Sequence, residues 1–263
     1  MSFFIKLFRK PKVEVPAQPF EIYENSLFIS RGDDRDYYVS GAIEGSEAEE
    51  IYLHKKIPIR NQRWLGSCAS HAIIFAYEYQ LYEDNDYVEL SEMYHYYFAR
   101  ESRGNESVNA GMTLRDGMKT IVKGTCFERF WPYDCTKYDV KPSVFADICR
   151  KLFTNSRFGI HKYFRVYNYD DMEYWLKQGV PIIAGINMFD KFKSHFNDKN
   201  SLKIKDLNKA SVFSGHAVNV TGIDDDHVEI RNSWGTTYGD KGYVKFTREL
   251  FDKVCFEMWV IVK

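Results

Sequence analysis

The chain has 263 residues, of which 44% are hydrophobic and 28% are charged, so it can fold around a substantial core and is not a disordered polymer. Its 36 Lys and Arg residues are balanced by 37 Asp and Glu residues, which leaves a net charge of −1. A charge so close to zero argues against nucleic-acid binding by bulk charge. No apolar stretch approaches the roughly 18–20 residues that a membrane helix needs, so no transmembrane segment is expected.

Five cysteines occur at irregular spacing, and no two of them form a CxxC pair. A structural zinc site is therefore not expected, and no motif requires another metal or a cofactor. Cys126 and Cys135 are close enough in the sequence to pair, a question that the sequence leaves open. The N-terminus is a poor secretory signal, because Lys6 interrupts its apolar run. A reducing, cytoplasmic location is favoured, and non-classical export stays open.

Residues 1–50 differ in composition from the rest of the chain. Pro11, Pro16 and the charged run over 31–36 are typical of an extension or linker rather than of a core. A short strand is predicted over 37–39. Because this segment precedes the folded region, we expect an N-terminal extension that is inhibitory or propeptide-like.

Apolar spacing and capping residues predict five helices in the region that follows. Ser91 is expected to cap the second of them, with Glu92 in its first turn. Gly124 and Gly179 are expected to end the third and the fifth. The predicted helices cover 67–79, 91–100, 113–123, 142–153 and 170–178.

Short apolar runs separated by turn residues follow Gly179, and they predict strands. The front part of the chain is thus mainly helical and the back part mainly β. Such segregation indicates an α+β architecture with two packed lobes. The predicted strands lie at 181–186, 215–223, 227–232, 242–246 and 256–262.

Cys68 stands at the predicted start of the first helix, directly after Gly66 and Ser67. A helix N-terminus presents unpaired backbone N–H groups and a partial positive charge, which favour the thiolate and lower the pKa of a cysteine. A cysteine in this position is suited to be a nucleophile, which also needs a base and an orienting group. His216 at the start of one predicted strand and Asn232 at the end of the next are candidates for these roles.

Several motifs of the chain, in their order along the sequence, resemble those of the papain family of cysteine peptidases. The resemblance extends over roughly residues 51–263. His216 follows Cys68 within the interval of about 130–150 residues that is typical of this family. Trp131-Pro132-Tyr133 is similar to a Tyr-Pro-Tyr stretch of such enzymes. The other motifs are Gln62 with Gly66-Ser67-Cys68, then Gly215-His216-Ala217-Val218, Asn232-Ser233-Trp234-Gly235 and Tyr238-Gly239-Asp240-Lys241-Gly242-Tyr243.

The resemblance implies a papain-like two-lobe fold for residues 51–263. The N-terminal lobe, at about 60–160, would be mainly helical. The C-terminal lobe, at about 161–263, would be antiparallel and β-barrel-like, with the active-site cleft between the two lobes.

The resemblance also assigns roles to individual residues. Cys68 would be the nucleophile, His216 would protonate the leaving amine, and Asn232 would orient the His216 ring. Gln62 would donate a side-chain N–H to the oxyanion beside the backbone N–H of Cys68. Trp234 would keep water from the contact between His216 and Asn232. The implied substrate-binding residues are Gly66, Gly111, Ser214, Gly215, Ala217 and Trp234.

The chain also departs from the usual pattern of this family. Leu65 replaces a cysteine that forms a disulfide in secreted members. Ala69, Ala110 and Tyr238 stand where Trp, Gly and Trp are common. None of these changes removes a catalytic group, so they suggest a divergent member that folds without the family's disulfides.

These assignments predict hydrolysis of peptide bonds in an extended peptide or protein, by an endopeptidase or exopeptidase that forms a thioester acyl-enzyme. The small residues Ser214 and Ala217 predict an apolar side chain in the neighbouring pocket, and Glu257 is a candidate for admitting a basic one. Two alternatives stay open. The same residues could serve acyl transfer or deamidation, or the chain could be a catalytically silent peptide-binding module.

Overall fold

The computed structural model of the chain describes residues 7–8, 27–30, 38–39, 50–154, 159–207 and 214–263. Helices are concentrated in the first part of these ranges and strands in the second. The helices are α1 (Cys68–Glu83), α2 (Glu92–Glu101), α3 (Leu114–Val122), α4 (Val144–Thr154), α5 (Tyr169–Lys177), α6 (Asp190–Lys193) and α7 (Arg248–Val254). The strands are β1 (Leu7–Phe8), β2 (Tyr38–Val39), β3 (Ile51–Tyr52), β4 (Lys162–Val166), β5 (Ile182–Asn187), β6 (Gly215–Ile223), β7 (His227–Arg231), β8 (Tyr243–Thr247) and β9 (Cys255–Val262).

All five predicted helices are present, as α1 to α5, with ends that differ from the prediction by a few residues. α2 begins after its predicted cap, Ser91, whose side chain accepts a hydrogen bond from the backbone N–H of Tyr94. α3 is capped in the same way by Thr113, for which no cap was predicted. Gly124 and Gly179 follow α3 and α5 at φ angles of 94° and 72°, which favour glycine.

Five elements, β1, β3, β4, α6 and α7, have no counterpart among the predicted ones. α6 has only four residues, too few to show a helical period. α7 runs into β9 without a turn, so no loop residues separate the two patterns. In the ranges that the structure describes, no helix has both the length and the apolar character needed to cross a bilayer.

The strands form one sheet in the order β1-β2-β4-β9-β5-β6-β7-β8, and β3 also pairs with β6. β2 and β4 are parallel, and the other neighbours are antiparallel. β5 is buried on both faces: Ile182 and Ala184 lie in one apolar cluster and Ile183 in the other. Burial on both faces explains why β5 is a continuous apolar run rather than an alternating one.

The sheet separates two groups of helices. Side chains of α1, α2 and α3 form one apolar cluster with Ile183 and Trp259 of the sheet. Side chains of α5 and α7 form the other cluster against the opposite face, where Phe75 and Tyr79 of α1 join them. Helix α1 therefore contributes to both clusters and connects the helical part of the molecule to the sheet. The predicted α+β class is confirmed.

All five cysteines lie in the described ranges, and each is a free thiol. Cys126 and Cys135 are therefore not paired. Leu65, three residues before Cys68, is buried in the cluster formed by α1, α2 and α3. Apolar packing thus holds the segment before Cys68 where a covalent link is absent.

Replacing Ile183 by alanine should lower the free energy of unfolding by about 2–5 kcal/mol, because this side chain is fully buried where the helices meet the sheet. Ile148→Ala is the matched control, since Ile148 on α4 is 49% exposed. Its effect should stay within about 0.5 kcal/mol. Urea unfolding followed by circular dichroism measures both changes. Equal unfolding midpoints for the two variants would contradict this description of the core.

Candidate active site

The first turn of α1 holds Cys68 against strand β6. Cys68 is the first residue of α1. Asn219 of β6 fixes the two elements together, because its Nδ2 donates a hydrogen bond to the carbonyl of Ala72 at 2.9 Å. The backbone N–H of Ala217 forms a hydrogen bond with the Cys68 sulfur. The sulfur therefore lies beside the strand that carries His216, the residue before Ala217.

His216 and Asn232 are joined across neighbouring strand ends. The Nε2 of His216 lies 2.8 Å from the Oδ1 of Asn232, which also accepts the backbone N–H of Ser233 at 2.8 Å. This contact uses one ring nitrogen of His216 and leaves Nδ1 for a second partner. The ring of Trp234 lies over the imidazole, with 4.8 Å between the ring centroids. Both His216 and Asn232 are buried.

Gln62 is tied to Ser233, the residue after Asn232. The backbone N–H of Gln62 donates to the Ser233 carbonyl at 2.8 Å, and its Oε1 accepts the Ser233 hydroxyl at 2.6 Å. Its Nε2 donates to the carbonyl of Leu65 at 2.9 Å. An amide nitrogen carries two hydrogens, so one N–H of Gln62 is left for a further acceptor.

Residues 27–30 of the N-terminal extension lie between the helical part and the sheet. The N–H of Leu27 donates to the carbonyl of Gly215 at 2.9 Å, and the N–H of Phe28 donates to the carbonyl of Met112 at 3.1 Å. Leu27 and Cys68 belong to one apolar cluster, and they are 4% and 2% exposed. The segment therefore lies against the strand end that carries His216, within the apolar cluster that also holds the buried Cys68.

The other predicted substrate-binding residues surround this segment. Gly111 is buried and directly precedes Met112. A methyl group on Gly215 would lie 2.3 Å from the Leu27 carbonyl oxygen, so this close approach requires glycine. The carbonyl of Ser214 accepts the N–H of Met188 at 2.9 Å, outside the segment's contacts. Two more of these residues are engaged within the site: Gly66 donates its N–H to Asn109 Oδ1 at 2.9 Å, and Ala217 is buried against Cys68.

Burial dominates the ionisation of the central pair. Desolvation raises the pKa of Cys68 to about 11, although hydrogen bonds from the backbone N–H groups of Ala217 and Ala69 lower it. The sequence-based expectation of a lowered pKa is therefore wrong for the buried site, because the loss of water outweighs the helix N-terminus. Burial lowers the pKa of His216 to about 4, against the opposing effect of Asn232. Burial thus opposes the charged form of both groups in this arrangement.

Glu257 does not present an unmatched charge to the cleft. Its Oε2 accepts hydrogen bonds from the guanidinium of Arg165 at 2.8 Å and from the indole N–H of Trp259 at 3.0 Å. Its Oε1 accepts the backbone N–H of Ser30 at 3.3 Å. The carboxylate is thus neutralised by Arg165, which disfavours the prediction that it admits a basic side chain.

The sequence did not predict the positions of residues 27–30 and Tyr133 in the site. Residues 27–30 lie in an extension without any motif, so no local pattern predicts where they bind. Tyr133 is signalled only as part of a short motif, yet its hydroxyl lies 2.9 Å from the carbonyl oxygen of Gln62. His71, one turn after Cys68, faces the helical side, where its Nδ1 lies 3.1 Å from the Ser67 carbonyl.

The family profile described as "Papain family cysteine protease" matches residues 50–261 of the chain. This match covers most of the sequence and includes Gln62, Cys68, His216 and Asn232. The chain belongs to the papain family of cysteine proteases.

Its relatives are distant. The chain is 28% identical over 213 residues to a peptidase C1-like protein of Acanthamoeba polyphaga mimivirus. The aligned region covers 76% of this chain and 68% of the viral protein. It is 28% identical to peptidase 1 of Psoroptes ovis, over 73% of this chain and 57% of that protein. For peptidase 1 of Dermatophagoides pteronyssinus the identity is 27%, over 80% of this chain and 64% of that protein. The matched region therefore spans less than two thirds of these two peptidases.

Solved structures define the fold. Xylellain, a cysteine protease from Xylella fastidiosa, is similar with a TM-score of 0.78 at 23% identity, over 95% of this chain and 100% of that one. Digestive procathepsin L 3 of Tenebrio molitor has a TM-score of 0.66 at 19% identity, over 86% of this chain and 73% of that one. The papain-like fold predicted from the sequence is confirmed.

The burial of Cys68 should make its thiol slow to react. In the full chain, alkylation of Cys68 by iodoacetamide should rise with pH towards a midpoint near 11, because burial raises its pKa to about 11. Leu27→Ala should move this midpoint to lower pH by admitting water. Ile29→Ala is the matched control, since Ile29 in the same segment is 41% exposed.

Peptide mass spectrometry after timed alkylation follows each cysteine separately. A Cys68 midpoint at or below the ordinary thiol value of about 8.5 in the unaltered chain would contradict a raised pKa for the buried thiol.

Proposed function

We propose that this protein hydrolyses peptide bonds through a thioester on Cys68, with His216 as the acid and base and Asn232 as its orienting residue. The observation that carries the proposal is the 2.8 Å contact between His216 Nε2 and Asn232 Oδ1, on the strand that packs against the Cys68 helix. This contact leaves Nδ1 of His216 for proton exchange with the sulfur. In this proposal the nucleophile, the base and the orienting group act together where α1 packs against β6.

The reaction runs in two halves. In the first, the Cys68 thiol loses its proton to His216, and the sulfur attacks the carbonyl carbon of the peptide bond. The tetrahedral intermediate collapses to a thioester as His216 returns the proton to the leaving amine. In the second, His216 removes a proton from water, which attacks the thioester. The carboxylic acid leaves, and the proton returns to the Cys68 sulfur.

The negative oxygen of each tetrahedral intermediate needs donors placed in advance. The backbone N–H of Cys68 and the second side-chain N–H of Gln62 are suited to this role. Ser233 holds the Gln62 amide from the other side through its hydroxyl at 2.6 Å, which fixes the amide's orientation. One such donor is typically worth about 10²–10³ in rate.

The substrate would be an extended peptide or protein segment. Support comes from the way residues 27–30 are bound, because Leu27 and Phe28 use main-chain N–H groups toward carbonyls of Gly215 and Met112. Main-chain pairing of this kind gives affinity for any extended peptide, and side-chain pockets add preference. The pairing of Glu257 with Arg165 favours an apolar over a basic side chain in the neighbouring pocket.

The extension would restrain the enzyme from the same position. Leu27 occupies the Gly215 carbonyl and belongs to the apolar cluster of Cys68, so in this proposal an extended substrate and Leu27 compete for one binding position. Activity is then proportional to the fraction of molecules in which the segment has left. The proposal thus assigns the inhibitory role expected for residues 1–50 to residues 27–30.

Cys68→Ala should abolish hydrolysis of a fluorogenic peptide library, with a loss of at least about a thousandfold, because no other group replaces the nucleophile. It should also abolish labelling by a peptidyl epoxide, read by mass spectrometry. Cys255→Ala is the matched control and should keep both activities.

The other outcomes identify the alternatives. Labelling of Cys68 together with amide products from an added amine, and no hydrolysis, would assign acyl transfer. A folded protein that binds peptides but is neither labelled nor active would be a binding module.

Leu27→Asp should raise kcat/KM for a fluorogenic peptide by about tenfold or more, because an unpaired buried carboxylate expels the segment from the cleft. Ile29→Asp is the matched control at an exposed position of the same segment and should change kcat/KM less than about twofold. Initial rates over a substrate series measure both variants. Equal rates for Leu27→Asp and the unaltered enzyme would reject inhibition by this segment.

A further inference from the structure

The hydroxyl of Tyr133 joins two parts of the site that approach from different directions. It donates a hydrogen bond to the carbonyl oxygen of Gln62 at 2.9 Å. The Oγ of Ser67, the residue that precedes the nucleophile, lies 2.6 Å from the same hydroxyl. One side chain thus contacts both the segment that carries Gln62 and the start of α1.

The protons in this chain of hydroxyls have one consistent arrangement. The Gln62 carbonyl only accepts, so the Tyr133 proton points to it, and the Ser67 hydroxyl must donate to the Tyr133 oxygen. Ser67 occupies the cap position of α1 but makes no side-chain cap bond there. Burial raises the pKa of Tyr133, which keeps its hydroxyl protonated as this arrangement requires.

Tyr133 is itself held firmly. Its backbone N–H donates to Glu128 Oε1 at 2.7 Å. Its ring meets the edge of the His71 ring, with 4.8 Å between centroids and 80° between planes. His71 in turn contacts the Ser67 carbonyl through Nδ1 at 3.1 Å. The hydroxyl therefore has a fixed position relative to the first turn of α1.

Gln62 is fixed from two sides. From the sheet, Ser233 accepts its backbone N–H and donates to its side-chain oxygen. From the helical side, Tyr133 contacts its carbonyl, which also accepts the N–H of Leu65 in a local turn at 3.3 Å. The two oxyanion donors, the Gln62 side chain and the Cys68 N–H, belong to different segments. Their separation therefore depends on a contact that spans both, and Tyr133 makes one.

We propose that Tyr133 is a positioning residue for the oxyanion site: its hydroxyl sets the distance between the Gln62 amide and the backbone N–H of Cys68. The inference rests on the proposed function, because it gives Gln62 a role in that reaction. It predicts an effect on the transition state rather than on substrate binding, since the Tyr133 hydroxyl bonds to Gln62 and to Ser67, which precedes the nucleophile.

The test is a double-mutant cycle with Gln62. Tyr133→Phe keeps the ring and removes only the hydroxyl, and it should lower kcat for a fluorogenic peptide about tenfold, a part of the 10²–10³ that a whole donor supplies. KM should change less than about twofold. In a Gln62→Ala background, Tyr133→Phe should cost less than about twofold in kcat, because the donor that it positions is gone.

Tyr94→Phe is the matched control. Its hydroxyl donates to Asp147 Oδ1 at 2.9 Å, so it also loses one hydroxyl contact in the helical part, away from the cleft. It should leave kcat and KM unchanged. Thermal unfolding of all variants shows whether a loss of fold contributes, and rates are compared well below the lowest midpoint.

Two results would overturn the inference: an unchanged kcat in Tyr133→Phe, or an equal loss of kcat with and without Gln62. The second result would indicate a general structural role. An enzyme that neither hydrolyses peptides nor reacts with the epoxide at Cys68 would refute the proposed function, and this inference with it. An active enzyme that is indifferent to Tyr133→Phe refutes this inference alone.

Discussion

The packing of strand β6 across the first turn of α1 is the contact on which the site depends. α1 supplies Cys68 and β6 supplies His216, and these residues come from distant parts of the chain. The amide of Asn219 binds the Ala72 carbonyl, and the N–H of Ala217 reaches the sulfur. The two elements therefore meet in one register, and a slip of one residue along β6 would turn the His216 side chain to the other face of the sheet.

The same contact excludes water, and this has an electrostatic consequence. A lone thiolate or a lone imidazolium is disfavoured in a dry junction, which is why the pKa values of Cys68 and His216 lie near 11 and 4. A proton moved from one to the other creates two charges that stabilise each other. On the proposed function, the covered molecule is the neutral one, and departure of Leu27 admits the water and substrate that make charge transfer favourable.

Local signals in the sequence were sufficient for much of the fold. The cap at Ser91 and the stop at Gly179 are decided by neighbouring residues, and β5 is recognisable because both of its faces are buried. The chemical types of the central residues were also readable. The position of Leu27 could not be predicted, because its hydrogen bond to Gly215 depends on how distant segments approach each other. Such a contact produces no periodic pattern in the sequence. The pKa of Cys68 was mispredicted for the same reason, since burial by distant parts of the chain raises it.

The free state of all five cysteines has a practical consequence for handling this protein. A thiol nucleophile must be protected from oxidation, and the reductants that protect it attack the scaffold of proteins cross-linked through sulfur. Here Leu65 and its apolar neighbours hold the segment before Cys68 by packing alone. Dithiothreitol at any working concentration therefore preserves the sulfur of interest without loosening the framework around it.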